Sequence, residues 1–267
     1  MDWDPRFLAR SPMFEPLRVR APAFGPDWPD RAGLQRALDA CNPPVANEQG
    51  MPLELVPPAR RTGAPGDRYE ARVFRRGELE VRERNWHDLF NVLVWLAFPR
   101  VKAALNGRHH AALESQLTAN RGPAQDALTL FDEGGVIVAA ADDELLELLR
   151  GFHWKDLFWR RREAVRLRMR FLVVGHALHE KALAPFTGIT ARGILMRIEP
   201  SLLAAEPARL VDALDARAAS WIGNPATLSA TRDLAPVPVL GVPGWCADNE
   251  REDYYDNEDY FRSGRRE

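Results

Sequence analysis

RNWHDLFNVLVWLAFPRVKAALN, residues 84–106, decides the fold because it places three polar residues at the start of an otherwise apolar helix. Apolar side chains between residues 89 and 98 cover every side of a helix with about 3.6 residues per turn, which predicts burial. The polar residues His87, Asp88 and Asn91 are spaced so that all three can point into one small volume. The segment therefore predicts either a helix cap or a functional site.

Both interpretations of this helix start remain open. Asn85 suits the N-cap position, and Asp88 can complete a capping box while its charge favours the helix N-terminus. His87 is then a hydrogen-bonded structural histidine. In the functional interpretation, His87 is a general base or metal ligand and Asp88 orients it. Asn91 would position substrate or water.

Composition and charge limit the class of protein. The 267 residues are 46% hydrophobic, as expected for a globular fold with a substantial core. A net charge of −2 does not imply nucleic-acid binding. Cys41 and Cys246 form no Cys-x-x-Cys motif, and no apolar run approaches the roughly 20 residues of a membrane span. We therefore predict a cytoplasmic protein without a membrane partner, whose partner is a small molecule or a protein.

Proline usage predicts a single domain with two arms. Residues 1–66 hold 12 of the 21 prolines and form a wrapping arm with aromatic anchors and one helix over Asp30–Cys41. Residues 67–233 form the core, and residues 234–267 form an aromatic, acidic C-terminal arm. Because strands are expected as hairpins beside a mainly helical core, the predicted fold class is α+β.

Two hairpins and several helices are predicted within the core. Alternating apolar residues predict a first hairpin over residues 69–81 and a second over residues 127–139, which turns at Gly134 and Gly135. Gly107 is expected to end the first helix. Further helices are expected over residues 108–119, 142–150, 154–183 and 207–222, with a strand over residues 192–198.

A second polar cluster lies near the end of the predicted long helix. His176, His179 and Glu180 share one helical face and could bind a metal, although their H-x-x-H-E order differs from the zincin motifs. A buried structural histidine accounts for the same residues. If the two helices meet, His87 and Asp88 would join this cluster as ligands of a divalent metal ion, the candidate cofactor.

Two other segments resemble known catalytic motifs. A hairpin followed by a helix resembles the ββα-metal nucleases, but Phe74 and Arg75 stand where that fold has its catalytic histidine. Residues 128–138, LTLFDEGGVIV, resemble the first motif of haloacid-dehalogenase-type phosphatases, with Asp132 as nucleophile. There Gly134 replaces the second acid, and a glycine hairpin accounts for the same letters.

An arginine stripe supports a non-enzymatic alternative. Arg162, Arg166 and Arg170 recur every four residues and predict an anion-binding surface, or a solvated face neutralised by the chain's own acids. Together with the C-terminal arm, this stripe indicates a binding module for a protein or an anionic ligand.

Four sequence blocks are similar to an uncharacterised bacterial domain family of unknown function. They are NWHDLFNVLVWLAFPRVKAALN, LTLFDEGGVIVA, GHALHEKAL and PVLGVPGWCADNE followed by YYDNEDYFR. The resemblance covers about residues 28–262 and implies a single bacterial domain, but it supplies no catalytic residues. From the residues themselves, we expect a hydrolase-like enzyme, with metal assistance, whose pocket lies at the N-terminus of helix 85–98.

Overall fold

A computed structural model describes residues 2–58, 68–115 and 122–264 of the chain. Its helices are α1 (Glu15–Arg18), α2 (Arg31–Asp39), α3 (Tyr69–Arg76), α4 (Trp86–Ala97), α5 (Pro99–Ser115), α6 (Pro123–Gly134), α7 (Asp143–Arg150), α8 (Arg162–Arg168), α9 (His176–Lys181), α10 (Pro200–Leu203) and α11 (Pro207–Gly223). Its strands are β1 (Glu54–Val56), β2 (Glu78–Glu80), β3 (Gly135–Ala140), β4 (Met169–Val173), β5 (Thr190–Arg197) and β6 (Ala235–Pro238).

A mixed four-stranded sheet lies at the centre, in the order β4-β3-β5-β6. β3 and β5 are parallel, whereas β4 and β6 pair antiparallel with their neighbours. Every residue of β3 is buried, as expected for a strand covered on both faces. β1 and β2 form a separate parallel pair. The α+β class is confirmed, with helices predominating.

The predicted hairpins are wrong. The alternation at the start of the first one belongs to α3, which ends at Gly77, where a φ of 69° allows the left-handed C-cap that glycine favours. β2 then pairs with β1 rather than with the preceding residues. In the second, Pro123 begins α6 and Gly135 adopts an extended φ of −73° that starts β3. The residues that follow Gly135 do form a strand, β3, as predicted, whereas the predicted first strand of each hairpin lies in a helix.

The predicted long helix over residues 154–183 is also wrong. It divides into a π-helical turn (Asp156–Arg160), α8, β4 and α9. β4 interrupts the helix because Met169–Val173 complete a buried pairing with β3, and such tertiary pairing overrides local helix propensity.

Gly107 does not end a helix. α4 stops at Ala97, and Pro99 begins α5, in which Gly107 is an interior residue beside the Glu48 carboxylate. Residues 116–119 of the next predicted helix lie outside the described residues. Helices α2, α7 and α11 and strand β5 confirm the remaining predictions to within a few residues.

Aromatic side chains from both ends of the chain lie on the core. Phe7 and Phe14 are fully buried, and both pack against Phe90 of α4. Near the other end, the hydroxyl of buried Tyr260 donates to the carbonyl of Ile189 at 2.8 Å. α4 packs against α9, which also contacts α6, so the starts of α4 and α9 meet beside α6. None of the described helices combines the length and apolar character needed to cross a membrane.

Candidate active site

The start of α4 contains the predicted N-cap. The Asn85 side chain accepts a hydrogen bond from the Asp88 backbone N–H at 3.0 Å. The Asp88 carboxylate does not complete the expected capping box; instead, it accepts hydrogen bonds from the backbone N–H and guanidinium of Arg82 at 2.7–2.8 Å. Asp88 therefore anchors the segment before α4 and does not orient His87.

The two predicted histidine clusters meet in space. His176 is the first residue of α9, and its Nε2 atom lies 3.1 Å from Nε2 of His87, 89 residues earlier in the chain. The other nitrogen of His87, Nδ1, lies 3.1 Å from a carboxylate oxygen of Glu180. His176 is buried, whereas His87 is partly exposed. The site is thus built by two helix starts that face each other.

The neighbouring carboxylates indicate where the proton lies on one of the two imidazoles. Glu180 favours a proton on Nδ1 of His87, which leaves a lone pair on Nε2. Asp132 stands 3.9 Å from Nδ1 of His176, and Glu133 stands 3.7 Å from Nε2 of the same ring, so the carboxylates do not single out one nitrogen of His176 for the proton. The two Nε2 atoms lie 3.1 Å apart, so His176 can donate to His87, or both rings can offer their lone pairs to one cation.

A third donor completes this cluster. Glu133 Oε2 lies 3.7 Å from Nε2 of His176, and the donor atoms of Glu133, His87 and His176 all lie within 4.8 Å of one another. Zinc–nitrogen bonds of about 2.0–2.1 Å put two nitrogens of a tetrahedral site roughly 3.3 Å apart, close to the separation seen here. The three side chains can therefore hold one divalent ion. No sequence motif had indicated that Glu133 is one of its ligands.

The charges around the cluster suit a metal site. Burial, with the nearby charge of Lys102, lowers the pKa of His176 to about 4, so its ring is neutral at pH 7. Burial opposes ionisation of Asp132, but the ion pair with Lys102 and the proximity of His176 hold its pKa at about 2. A neutral imidazole is the form that binds metals.

The cluster opens into a cavity of about 420 Å³. Asn91 lies in its wall and donates from Nδ2 to the Tyr69 hydroxyl at 2.9 Å, while its buried Oδ1 has no hydrogen-bond partner among the described residues. Glu70 lies in the same wall and accepts from Asn106 at 2.6 Å. Burial and the charge of Asp132 raise the pKa of Glu70 to about 7. The cavity thus contains a group able to exchange a proton near neutral pH.

Neither His179 nor Glu180 belongs to the cluster of His87, Glu133 and His176 that can hold an ion. His179 is fully buried against the rings of Phe14 and Phe90, and its Nε2 lies 3.2 Å from the carbonyl oxygen of Val173. Burial lowers the pKa of His179 to about 3. His176 and His179 are three residues apart on α9, so their side chains point in directions about 60° apart around the helix axis. One can therefore face the cavity while the other faces the core. Glu180 contacts Nδ1 of His87, the nitrogen that faces away from His176.

The arginine stripe is interrupted. Arg162 donates to Asn249 and forms an ion pair with Glu250, and Arg166 pairs with Glu163 and more distantly with Glu250. The helix ends before Arg170, which lies on β4 and donates to the backbone carbonyls of Arg166 and Met169. The chain's own acids therefore engage two of the three arginines.

Neither catalytic resemblance matches the structure. Asp132 lies within α6 rather than at the end of a strand, and it is bound by Lys102, so it is not placed as a phosphatase nucleophile. The ββα-nuclease arrangement fails because the hairpin is helix α3.

Three residues of α5 at the site escaped the sequence-based prediction: His109, which lines the cavity, and Lys102 and Asn106, which contact the wall residues Asp132 and Glu70. They recur at helical spacing within an apolar segment, which marks a polar face on α5. Tyr69, Glu70 and Glu133 were hidden because their helices were taken for hairpin strands.

A comparison with protein families matches residues 53–265 to the family described as "Protein of unknown function (DUF3025)". The expected membership of a family of unknown function is thereby confirmed. No curated protein and no solved structure gives a significant match to the chain.

Proposed function

As a member of DUF3025, the chain belongs to a family whose description names no activity, and we propose from its site that it is a metal-assisted hydrolase. One observation carries this proposal: donor atoms of His87, Glu133 and His176 converge within 4.8 Å beside an open cavity. We further propose that the enzyme acts in the bacterial cytoplasm, since both cysteines are free thiols far apart in the sequence.

Two histidines and one carboxylate form a donor set typical of catalytic zinc sites, in which a fourth position remains for water or substrate. A divalent ion there would lower the pKa of a bound water and so supply a hydroxide nucleophile at neutral pH. Glu180, which lies 3.1 Å from Nδ1 of His87, would keep that imidazole oriented.

The cavity wall supplies the remaining groups of a hydrolytic reaction. Glu70, with its pKa raised to about 7, can accept a proton from the attacking water or donate one to the leaving group. The unpaired Oδ1 of Asn91 and the hydroxyl of Tyr69 can hydrogen-bond a polar substrate. This combination of metal donors and a proton-transfer group favours hydrolysis over simple metal storage.

The alternative, a binding module that uses the arginine stripe and the C-terminal arm, has less support. Glu250 and Asn249 belong to that arm and already engage Arg162, so these charges stabilise the protein's own structure. Only Arg170 remains from the stripe as a candidate for an external ligand.

Metal content tests the proposal directly. Protein purified without chelators should contain about one transition-metal ion per chain by elemental mass spectrometry, whereas His176→Ala and Glu133→Gln should lose it. His153→Ala removes an exposed histidine that lies outside the cluster and should retain the metal. The same measurement identifies the ion, since this donor set also suits iron(II).

Two results would contradict the metal assignment: wild-type protein that stays metal-free after incubation with zinc, manganese or iron(II), or His176→Ala protein that keeps stoichiometric metal. Hydrolysis is tested separately with aryl phosphate, phosphodiester, carboxylic ester and peptide substrates. Chelator-sensitive turnover that His176→Ala abolishes would support it. A loaded protein inactive on all four classes would refute the hydrolase proposal while leaving the metal site intact.

A further inference from the structure

A second cavity, of about 360 Å³, lies between α1, the α8–β4 segment and α11. Most of the residues that line it are apolar, among them Met169, Val211 and Trp245, and the half-buried guanidinium of Arg170 also lines it. We propose that this cavity binds a free aliphatic carboxylate, with the hydrocarbon chain inside the cavity and the carboxylate on Arg170.

Arg170 is the positive charge that this site offers to a ligand. Its Nη1 donates to the carbonyl oxygens of Arg166 and Met169 at 3.0 and 2.7 Å, which fixes the guanidinium at the cavity. Among the described residues, none forms an ion pair with it. An arginine presents five donors in a planar fork that matches a carboxylate in a bidentate arrangement, so the remaining N–H groups suit this anion.

The other charges at the cavity leave one position open to an anion. Arg166 also lines the cavity, but it is paired with Glu163 and Glu250. Glu15 is exposed at the rim, where solvent screens its charge. A single guanidinium without an ion-pair partner among the described residues suits one carboxylate better than an extended anionic surface, which is bound by clusters of basic residues.

The cavity also suits a hydrocarbon chain in size and enclosure. Its volume falls within the range of about 300–1,000 Å³ found for small-molecule sites. The lining also includes Leu172, Leu210 and Val242, which offer an apolar surface to a hydrocarbon chain. Each additional buried methylene should then raise affinity roughly fourfold until the cavity is full.

Calorimetric titration of the purified full-length protein tests the site. Decanoate should bind, hexanoate should bind more weakly in line with its shorter chain, and decanol, which lacks the charge, should bind at least about tenfold more weakly than decanoate. Arg170→Met should reduce decanoate affinity by at least about tenfold, while Arg170→Lys should retain part of it. Arg168→Met, which removes an exposed arginine paired with Asp142 outside the cavity, should leave affinity unchanged.

A second pair of variants keeps the test informative if Arg170→Met fails to fold. Ala205→Phe places a ring in the cavity and should block binding, whereas Ala208→Phe, on the exposed surface of α11, should not. The proposal is overturned if decanoate does not bind, if decanol binds equally well, or if Ala205→Phe has no effect. The proposal is also overturned if the protein binds phosphatidylglycerol vesicles through Arg170 but does not bind decanoate. The surface would then be a membrane-binding surface. Metal content is unaffected in every case, so the two proposals fail independently.

Discussion

The His87–His176 cluster and the contact between Arg162 and the C-terminal arm are both polar, yet they differ in how their groups are satisfied. At the arm, Arg162 meets a carboxylate and a side-chain amide, and buried Asn249 donates to two carbonyl oxygens at 2.8 Å. At the cluster, two imidazole nitrogens face each other at 3.1 Å beside an open cavity. The arm contact links complementary groups of the chain, whereas the cluster gathers three metal-binding side chains beside a cavity.

This difference distinguishes polar groups that stabilise the fold from polar groups that are arranged to bind a ligand. A buried polar group that finds complementary partners stabilises the fold, and its loss leaves those partners unsatisfied. Metal-binding donor atoms that converge beside an open cavity contribute less to stability when one of their side chains is partly exposed, so their arrangement points to a ligand. A variant at the arm should therefore lower mainly the stability, whereas a variant at the cluster should lower mainly ligand binding.

The largest expected effect is at the arm. Asn249→Ala should lower the free energy of unfolding by about 2–4 kcal/mol, because it leaves two buried carbonyl groups and part of Arg162 without partners. Urea denaturation at pH 7 measures this loss. Asn257→Ala, at an exposed position, serves as the control and should cost much less. A loss below about 0.5 kcal/mol for Asn249→Ala would mean that the arm contact contributes little to stability.

An intermediate effect is expected from Glu70 in the cavity wall. Its pKa is raised from 4.5 to about 7, so the folded state binds this proton more tightly, and stability falls as the pH rises through that interval. Glu70→Gln should remove this loss. The stability difference between variant and wild type should therefore grow by on the order of 1–3 kcal/mol from pH 4.5 to 7.

Urea denaturation across this pH range follows the Glu70 effect, and Glu163→Gln, at an exposed carboxylate, is the matched control. A difference between Glu70→Gln and wild type that stays constant with pH would show that the pKa of Glu70 is not raised.

The smallest stability effect is expected at the cluster itself. In metal-free protein, His87→Ala should change the free energy of unfolding by less than about 1 kcal/mol, because His87 is partly exposed and faces another imidazole. The same variant should abolish metal binding. Thermal unfolding in the presence of a chelator measures the first expectation and elemental analysis the second. A loss as large as that of Asn249→Ala would make His87 a structural residue and remove the contrast between the two places.

Features governed by neighbouring residues were predictable. Asn85 was identified as an N-cap because capping depends on contacts within about four residues, and the burial of α4 followed from its apolar circumference. Helices α2, α7 and α11 were predicted for the same reasons. The hairpins failed because alternating apolar residues also fit a short helix, and only the pairing of β2 with β1 decided between these alternatives.

The sequence by itself determined the class of the fold, the capped and buried helix α4, and the histidines that a site would use. Only the tertiary structure decided that His87 and His176 face each other, that Glu133 joins them, and that His179 belongs to the core. The physical reason is distance along the chain: caps and helices depend on neighbouring residues, whereas the cluster unites residues of α4, α6 and α9. β4 ends where it does because it pairs with β3, and that pairing places the start of α9 against the start of α4.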